Sequence, residues 1–300
     1  MLKGNINLNL YKTFYDVARY GSFSKAAEFT YTTQPAISKS IKKLENDLET
    51  ELFYRKSNGI ELTEKGRELL FYVEKSYGNL LTAERILLET EELNRGKLSI
   101  GIPSNLYSCY LLDKINLFRK EYPNIEITII TGPTTYLLNQ LEIHKVDFII
   151  DTAPVINMNS DFTIRKIKDL EFAFIASNDD KFENIKSIKE LENESVILPL
   201  VGTFNRSNLD ELLLKNNIKL NNVINIHTSE MIIDSVRNNM GIGYILKDVV
   251  ANNLKNKEFI ELCVKEKLPN AELIIVYSKK FLTSAPKKFI DLYIEWCYKF

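Results

Sequence analysis

The sequence predicts an α+β chain of several domains: a small helical module ending in a two-stranded hairpin, one long connecting helix, and a two-lobed α/β region. Three observations carry this. Short amphipathic helices and a hairpin pattern crowd the first 66 residues. No proline interrupts the stretch from Glu64 to about Asn94. From Gly96 onward, β-rich and helical segments alternate. At 300 residues the chain can hold two or three lobes and a sizeable core.

The first helix carries Leu10, Phe14, Val17 and Ala18 on one face and stops at Gly21. A second, capped by Ser24, points Ala26, Ala27 and Phe29 inward. The third begins at Thr-Gln-Pro: Thr33 is a candidate cap, and Pro35 falls in the first turn, where a missing N–H loses no bond. Ile37, Ile41, Leu44 and Leu48 form its buried stripe. Pro35, Lys39, Lys42 and Asn46 lie opposite, flanked by Ser38 and Lys43, with Gln34 at the exposed end. An isolated amphipathic helix would carry lysines outside in any case. The neighbours change the reading, because only a few residues separate the second helix from Thr33. That is the spacing of a helix-turn-helix, whose second helix enters a DNA major groove by its N-terminal part. A strand at Leu52–Tyr54, a Ser57-Asn58-Gly59 turn and a strand at Ile60–Leu62 add a wing. Arg55 and Lys56 sit at its tip, within reach of phosphates or a minor groove, and Thr63 caps the next helix.

These residues also carry a family resemblance. Gly21-Ser22-Phe23-Ser24-Lys25-Ala26-Ala27, Gln34-Pro35-Ala36-Ile37-Ser38, Leu44-Glu45, Leu52-Phe53-Tyr54-Arg55 and Leu62-Thr63-Glu64-Lys65-Gly66 resemble the winged helix-turn-helix signature of LysR-type transcriptional regulators. The motifs cover about the first quarter of the chain, and length and domain order agree over the rest. The resemblance implies a DNA-binding domain at 1–66, a linker and dimerisation helix at 67–95, and a periplasmic-binding-protein-like effector domain at 96–300. Its first lobe is expected at about 96–164 and 267–300, its second at about 165–266. The implied partners are operator DNA with an inverted repeat, a small-molecule effector, further copies of the chain as dimer or tetramer, and RNA polymerase. No cofactor is implied. The DNA-facing set is Ser24, Thr33, Gln34, Pro35, Ser38, Lys39, Lys42, Arg55 and Lys56. Lys39 stands where the family often has arginine, and a lysine point charge suits a phosphate better than bidentate reading of guanine.

Charge is unevenly spread. Residues 1–67 hold eleven Lys/Arg against eight Asp/Glu, although the whole chain carries −1. A basic module joined to an acidic remainder fits DNA binding by the first part alone, with salt-dependent affinity. Cys109, Cys263 and Cys297 are odd in number and widely spaced, and are expected to be free, buried or partly buried thiols in a reducing compartment rather than a redox pair. The absence of a signal-peptide core and of any membrane-length apolar run predicts a cytoplasmic protein.

Leu70, Val73, Tyr77, Leu80, Leu87 and Leu88 form a stripe along the connecting helix. About 30 residues at 1.5 Å rise make a rod of roughly 45 Å, too long to bury against a small winged module. Pairing with a second copy would cover it; packing within the chain is the alternative. Beyond Gly96, strands at 97–102, 125–130, 146–151, 170–177, 195–200, 223–227, 241–246 and 271–278 alternate with helices. This predicts parallel sheets in two lobes, with the last strand and helix returning to the first.

In such folds ligands sit beyond the carboxyl ends of strands. Those ends supply Ser104, Asn105, Thr131, Thr203, Phe204 and His227 as candidate effector contacts, a set suited to a small anion such as a carboxylate. Ser and Thr there also cap helices, which is the better reading for Thr134 and Ser229. Asp151 reads two ways, since a carboxylate there would repel an anion and favour an amine-bearing or cationic effector. The competing function class is a two-lobed receptor or enzyme with an accessory N-terminal domain. A hydrolase needs a positioned base, but there are only two histidines, His144 and His227, and no HExxH, GxSxG or P-loop. Gly241-Ile242-Gly243 lacks a third glycine and reads as a turn into a strand.

Overall fold

The computed structural model describes residues 6–56, 59–88, 96–155 and 160–299. Two compact units emerge, one of Met1–Glu89 with Glu142–Lys145, the other of Thr90–Leu141 with Val146–Phe300.

In the first unit, α1 (Leu8–Tyr20), α2 (Phe23–Phe29) and α3 (Gln34–Leu48) precede a hairpin of β1 (Phe53–Lys56) and β2 (Gly59–Leu62). Leu10, Phe14, Val17, Ile37, Ile41 and Leu44 meet Leu52 and Phe53 in one core. Gly21, at φ 64°, ends α1 in the left-handed conformation that glycine tolerates. Ser22, not Ser24, caps α2, accepting a hydrogen bond from the Lys25 N–H. Phe23 is drawn into the helix because it packs on the core and meets Phe53 edge-on at 6.0 Å. Ser24 therefore lies exposed inside the first turn. Phe29 is also not inside: it is 60% exposed and stacks on Tyr20 at 4.4 Å, since its direction on the wheel diverges from Ala26 and Ala27. Thr33 occupies the cap position of α3 but makes no side-chain capping bond.

Glu45 fastens the wing to α3, accepting from the Leu52 N–H at 2.8 Å and the Phe53 N–H at 3.3 Å. The hairpin pairs Phe53 with Leu62 and Lys56 with Gly59; the Ser57-Asn58 part of the expected turn lies outside the described residues. The Thr63 hydroxyl accepts from the Gly66 N–H at 2.9 Å and donates to the Glu51 carbonyl at 2.8 Å, starting α4 (Glu64–Leu88). Leu70 and Val73 pack on the winged core. Leu80, Leu81, Ile86 and Leu87 are exposed, Leu87 by 84%. The expected helix end at Arg95 lies outside the described residues, as does the side chain of Leu88.

The second unit runs β3 (Gly96–Ile102), α5 (Ser104–Tyr110), α6 (Leu112–Glu121), β4 (Ile125–Thr131), α7 (Thr134–Glu142), β5 (Phe148–Ala153), β6 (Thr163–Leu170) and β7 (Phe172–Ser177). It continues with α8 (Asp180–Glu183), β8 (Ser195–Pro199), α9 (Phe204–Lys215), β9 (Asn222–Ile226), α10 (Ser229–Arg237), β10 (Ile242–Leu246), α11 (Ala251–Lys255), β11 (Phe259–Glu261), β12 (Ala271–Tyr277) and α12 (Ser284–Lys299). Two five-stranded sheets result, ordered β4-β3-β5-β12-β6 and β11-β7-β10-β8-β9. They are mixed rather than parallel. β3 runs parallel to β4 and β5, and β8 to β9 and β10, whereas β12 is antiparallel to β5 and β6, and β7 to β10 and β11. The antiparallel strands are those entered as the chain passes between lobes, not through a βαβ crossover. β6 hydrogen-bonds β12, so residues 165–170, expected in the second lobe, join the first sheet. Between β3 and β4 the chain forms two helices rather than one, broken at Leu111 (φ −120°, ψ −39°). Gly241, at φ 150°, turns into β10, and a Cβ there would lie 2.2 Å from the Ser195 carbonyl oxygen.

Candidate functional site

Two candidate sites form, one in each unit. On the first, burying Ile37, Ile41 and Leu44 turns Gln34, Pro35, Lys39 and Lys42 to solvent, with Ser38 half-buried beside them. Among the described residues no hydrogen bond or ion pair engages Lys39 or Lys42. Thr33 and Ser24 are exposed near the helix starts. On the wing, the Lys56 ammonium is tied to Glu61, and that hydrogen bond holds the Glu61 carboxyl below its ordinary pKa. Lys56 thus offers a partly neutralised charge. Arg55 pairs with Ile60 in the hairpin register.

In the second unit a cavity of about 560 Å³ opens where strands end and helices begin. All six residues singled out from strand ends line it: Ser104, Asn105, Thr131, Thr203, Phe204 and His227. Ser104 begins α5 directly after Pro103, and Thr131 closes β4. Thr203 stands at the cap of α9, yet its hydroxyl donates to the Leu200 carbonyl at 2.8 Å, so the first turn of α9 has no side-chain cap. At α10 the cap is Thr228, accepting from the Met231 N–H at 3.3 Å, while Ser229 is the first helical residue. Asn205, Pro199, Ile226 and Ile232 also line the cavity. Sequence reading missed Pro199, Ile226 and Ile232 because apolar strand and helix ends look the same whether they face a core or a cavity.

Asp151, inside β5 and two residues before its end, is 2% exposed and still borders the cavity. Its Oδ1 accepts from the Thr152 N–H at 2.7 Å, whereas Oδ2 has no hydrogen-bond partner. An unsatisfied buried acceptor costs about 1–3 kcal/mol. Burial pushes the carboxyl above its ordinary pKa, against the pull of the Thr152 N–H and the Thr134 and Thr152 hydroxyls. A carboxyl with a raised folded-state pKa destabilises the fold above that pKa, and the penalty disappears as pH falls below the unfolded value. The Tm of Asp151→Asn minus that of the parent is therefore expected to be more positive at pH 7 than near pH 4. Equal differences across that range in paired melting curves would show that Asp151 titrates normally.

Cys109 and Cys263 are exposed and Cys297 half-buried, all three free, so the expectation of buried thiols fails for the first two. Widely spaced cysteines give no periodic signal of their burial. His144 is half-buried at φ 57°, outside the cavity, and burial lowers its pKa. Among the described residues no group of three or more His, Cys, Asp or Glu is placed to hold a metal ion, and no helix is long and apolar enough to cross a membrane.

Two family models match: residues 8–67 fit a bacterial regulatory helix-turn-helix protein of the lysR family, and residues 91–297 fit a LysR substrate binding domain. The HTH-type transcriptional regulator GltR of Bacillus subtilis (strain 168) is 26% identical over 277 residues, covering 92% of each chain. The HTH-type transcriptional regulator TdcA of Escherichia coli (strain K12) is 26% identical over 284 residues, covering 94% of this chain and 91% of its own. A full-length OxyR variant from Pseudomonas aeruginosa shares the fold at a TM-score of 0.72 and 17% identity, covering 98% of this chain and 95% of that one. With a winged module at its N-terminus and a two-lobed substrate-binding unit after it, the chain belongs to the LysR family of DNA-binding transcriptional regulators.

Proposed function

We propose that α3 reads operator DNA through Gln34, Pro35 and Ser38, with Lys39 and Lys42 on phosphate, and that Ser24, Thr33, Arg55 and Lys56 contact the flanking backbone. The carrying observation is the solvent face of α3, where an amide and two unengaged ammonium groups gather at the N-terminal half of a helix held rigidly from behind. Residues 1–66 act as the DNA-binding domain and 67–95 as a dimerising linker. Pairing of α4 with a second copy would cover Leu80, Leu81, Ile86 and Leu87, whose exposure argues for a partner helix. Two copies of α3 would then address an inverted repeat.

The cavity at 96–300 binds a small-molecule effector through Ser104, Asn105, Thr131, Thr203, Phe204 and His227. The protein acts without catalysis, in the cytoplasm, with double-stranded DNA, its own copies, the effector and, at the promoter, RNA polymerase as partners.

A gel-shift titration on the DNA upstream of the protein's own gene, with scrambled competitor, tests this reading. Selective retardation is expected, and Gln34→Ala should cost roughly 1–3 kcal/mol on specific DNA while leaving scrambled DNA unaffected. Retardation without sequence preference would return the two-lobed unit to the status of a receptor or enzyme.

A further inference from the structure

We infer that the effector is a small zwitterion, an amino-acid-like molecule whose carboxylate meets the open first turn of α9 and whose primary ammonium meets Asp151. This rests on the cleft reading above and names the chemistry it selects.

Three independent features of the cavity converge on that class. Asp151 is 2% exposed, and among the described residues none hydrogen-bonds its Oδ2, so this lining carboxyl keeps acceptor capacity for a donor. A ligand can supply the donor, and an ammonium brings three N–H groups on one atom. On the other side, α9 is twelve residues long, and its cap residue has turned its hydroxyl to Leu200, which leaves the first-turn N–H groups without a side-chain acceptor. A carboxylate fits there.

Among the described residues the lining includes no lysine or arginine; Asp151 and His227 are its ionisable side chains. A dicarboxylate or 2-oxo acid would bring negative charge to a buried carboxyl with no lysine or arginine to offset it, whereas a simple amine would leave the α9 turn unused. A cavity of about 560 Å³ accommodates an amino acid with a substantial side chain.

The test uses the purified full chain in thermal-shift and calorimetric titrations. The panel is the twenty proteinogenic amino acids, ornithine, β-alanine and 4-aminobutyrate, each matched to its deaminated acid, its 2-oxo acid where one exists, and its methyl ester. At least one amino acid is expected to raise Tm with concentration, its deaminated and esterified counterparts binding at least ~30-fold more weakly. Asp151→Asn should weaken the amino acid by about the same factor and leave the deaminated acid within about threefold. A cooperative thermal transition of the α/β unit in the variant reports that it is folded, and the matched-ligand comparison on the parent chain stands without it.

Binding of 2-oxo acids or dicarboxylates in preference to amino acids, weakened by Thr203→Val, would overturn the zwitterion while keeping the cleft. Amino-acid binding that neither Asp151→Asn nor Thr203→Val alters would overturn the cleft assignment itself. No response to any panel member overturns the inference.

Discussion

Alanine at Gly66 is expected to abolish operator binding and melt the N-terminal module, with the transition of the α/β unit left in place. A Cβ at Gly66 would lie 2.2 Å from the Leu52 carbonyl oxygen and 3.1 Å from Leu62 Cδ2. Neither neighbour can yield alone. The Leu52 carbonyl accepts from the Thr63 N–H at 3.0 Å, the Leu52 N–H donates to Glu45, and the Gly66 N–H donates to the Thr63 hydroxyl. Opening that contact shifts the start of α4 against the wing and breaks the anchor between the wing and α3. A clash against backbone with several bonds in series belongs at the severe end of single-residue effects, about 3 kcal/mol or more, a large part of a small module's stability. Circular-dichroism melts read beside gel shifts check it: two separated transitions with the lower one moved down agree, and parent-like operator affinity at 25 °C would show that the wing yields cheaply.

The same glycine shows what a sequence can carry. Leu62-Thr63-Glu64-Lys65-Gly66 announced a capped helix after a wing, and Thr63 does cap α4. The reason for glycine at the fourth step is the approach of the Leu52 carbonyl, fourteen residues earlier in the chain and invisible to local pattern. The buried stripe of α3 was legible because Ile37, Ile41 and Leu44 recur at helical spacing. Cap identity was less so. Ser22 and Ser24 both suit a helix start, and the core position of Phe23 decides between them.

In the second unit β6 escaped notice because Thr163–Leu170 buries little beyond Ile167 and Leu170, and its Lys and Arg read as loop. The direction of β7 and β12 was not legible either, since alternation of strands and helices does not encode where the chain changes lobes. For the cleft, the strand ends point to six residues that line one cavity. The depth of Asp151 was not available from the run VDFIID, because an aspartate closing an apolar strand is ordinarily solvated. β5 in fact continues to Ala153, which sets Asp151 inside the sheet opposite Ile274.

The double substitution Lys39→Ala/Lys42→Ala should remove most of the salt sensitivity that α3 contributes to operator binding. Each lysine is exposed, and among the described residues no carboxylate engages either, so each is available to neutralise a phosphate. In a dimer the double variant loses four such contacts, and the slope of log K against log salt should become shallower by about 3.6. Between 50 and 200 mM salt that difference amounts to roughly 150-fold in affinity. The loss should fall on operator and scrambled DNA alike, because a lysine ammonium on a phosphate carries no base information. A contribution by Lys39 to guanine recognition would appear instead as a loss confined to the operator with the slope nearly unchanged. Filter-binding isotherms at four salt concentrations on both DNAs separate the two. An unchanged slope on both would mean that α3 does not face the DNA backbone at these positions, and the groove-facing side of the module would have to be sought elsewhere.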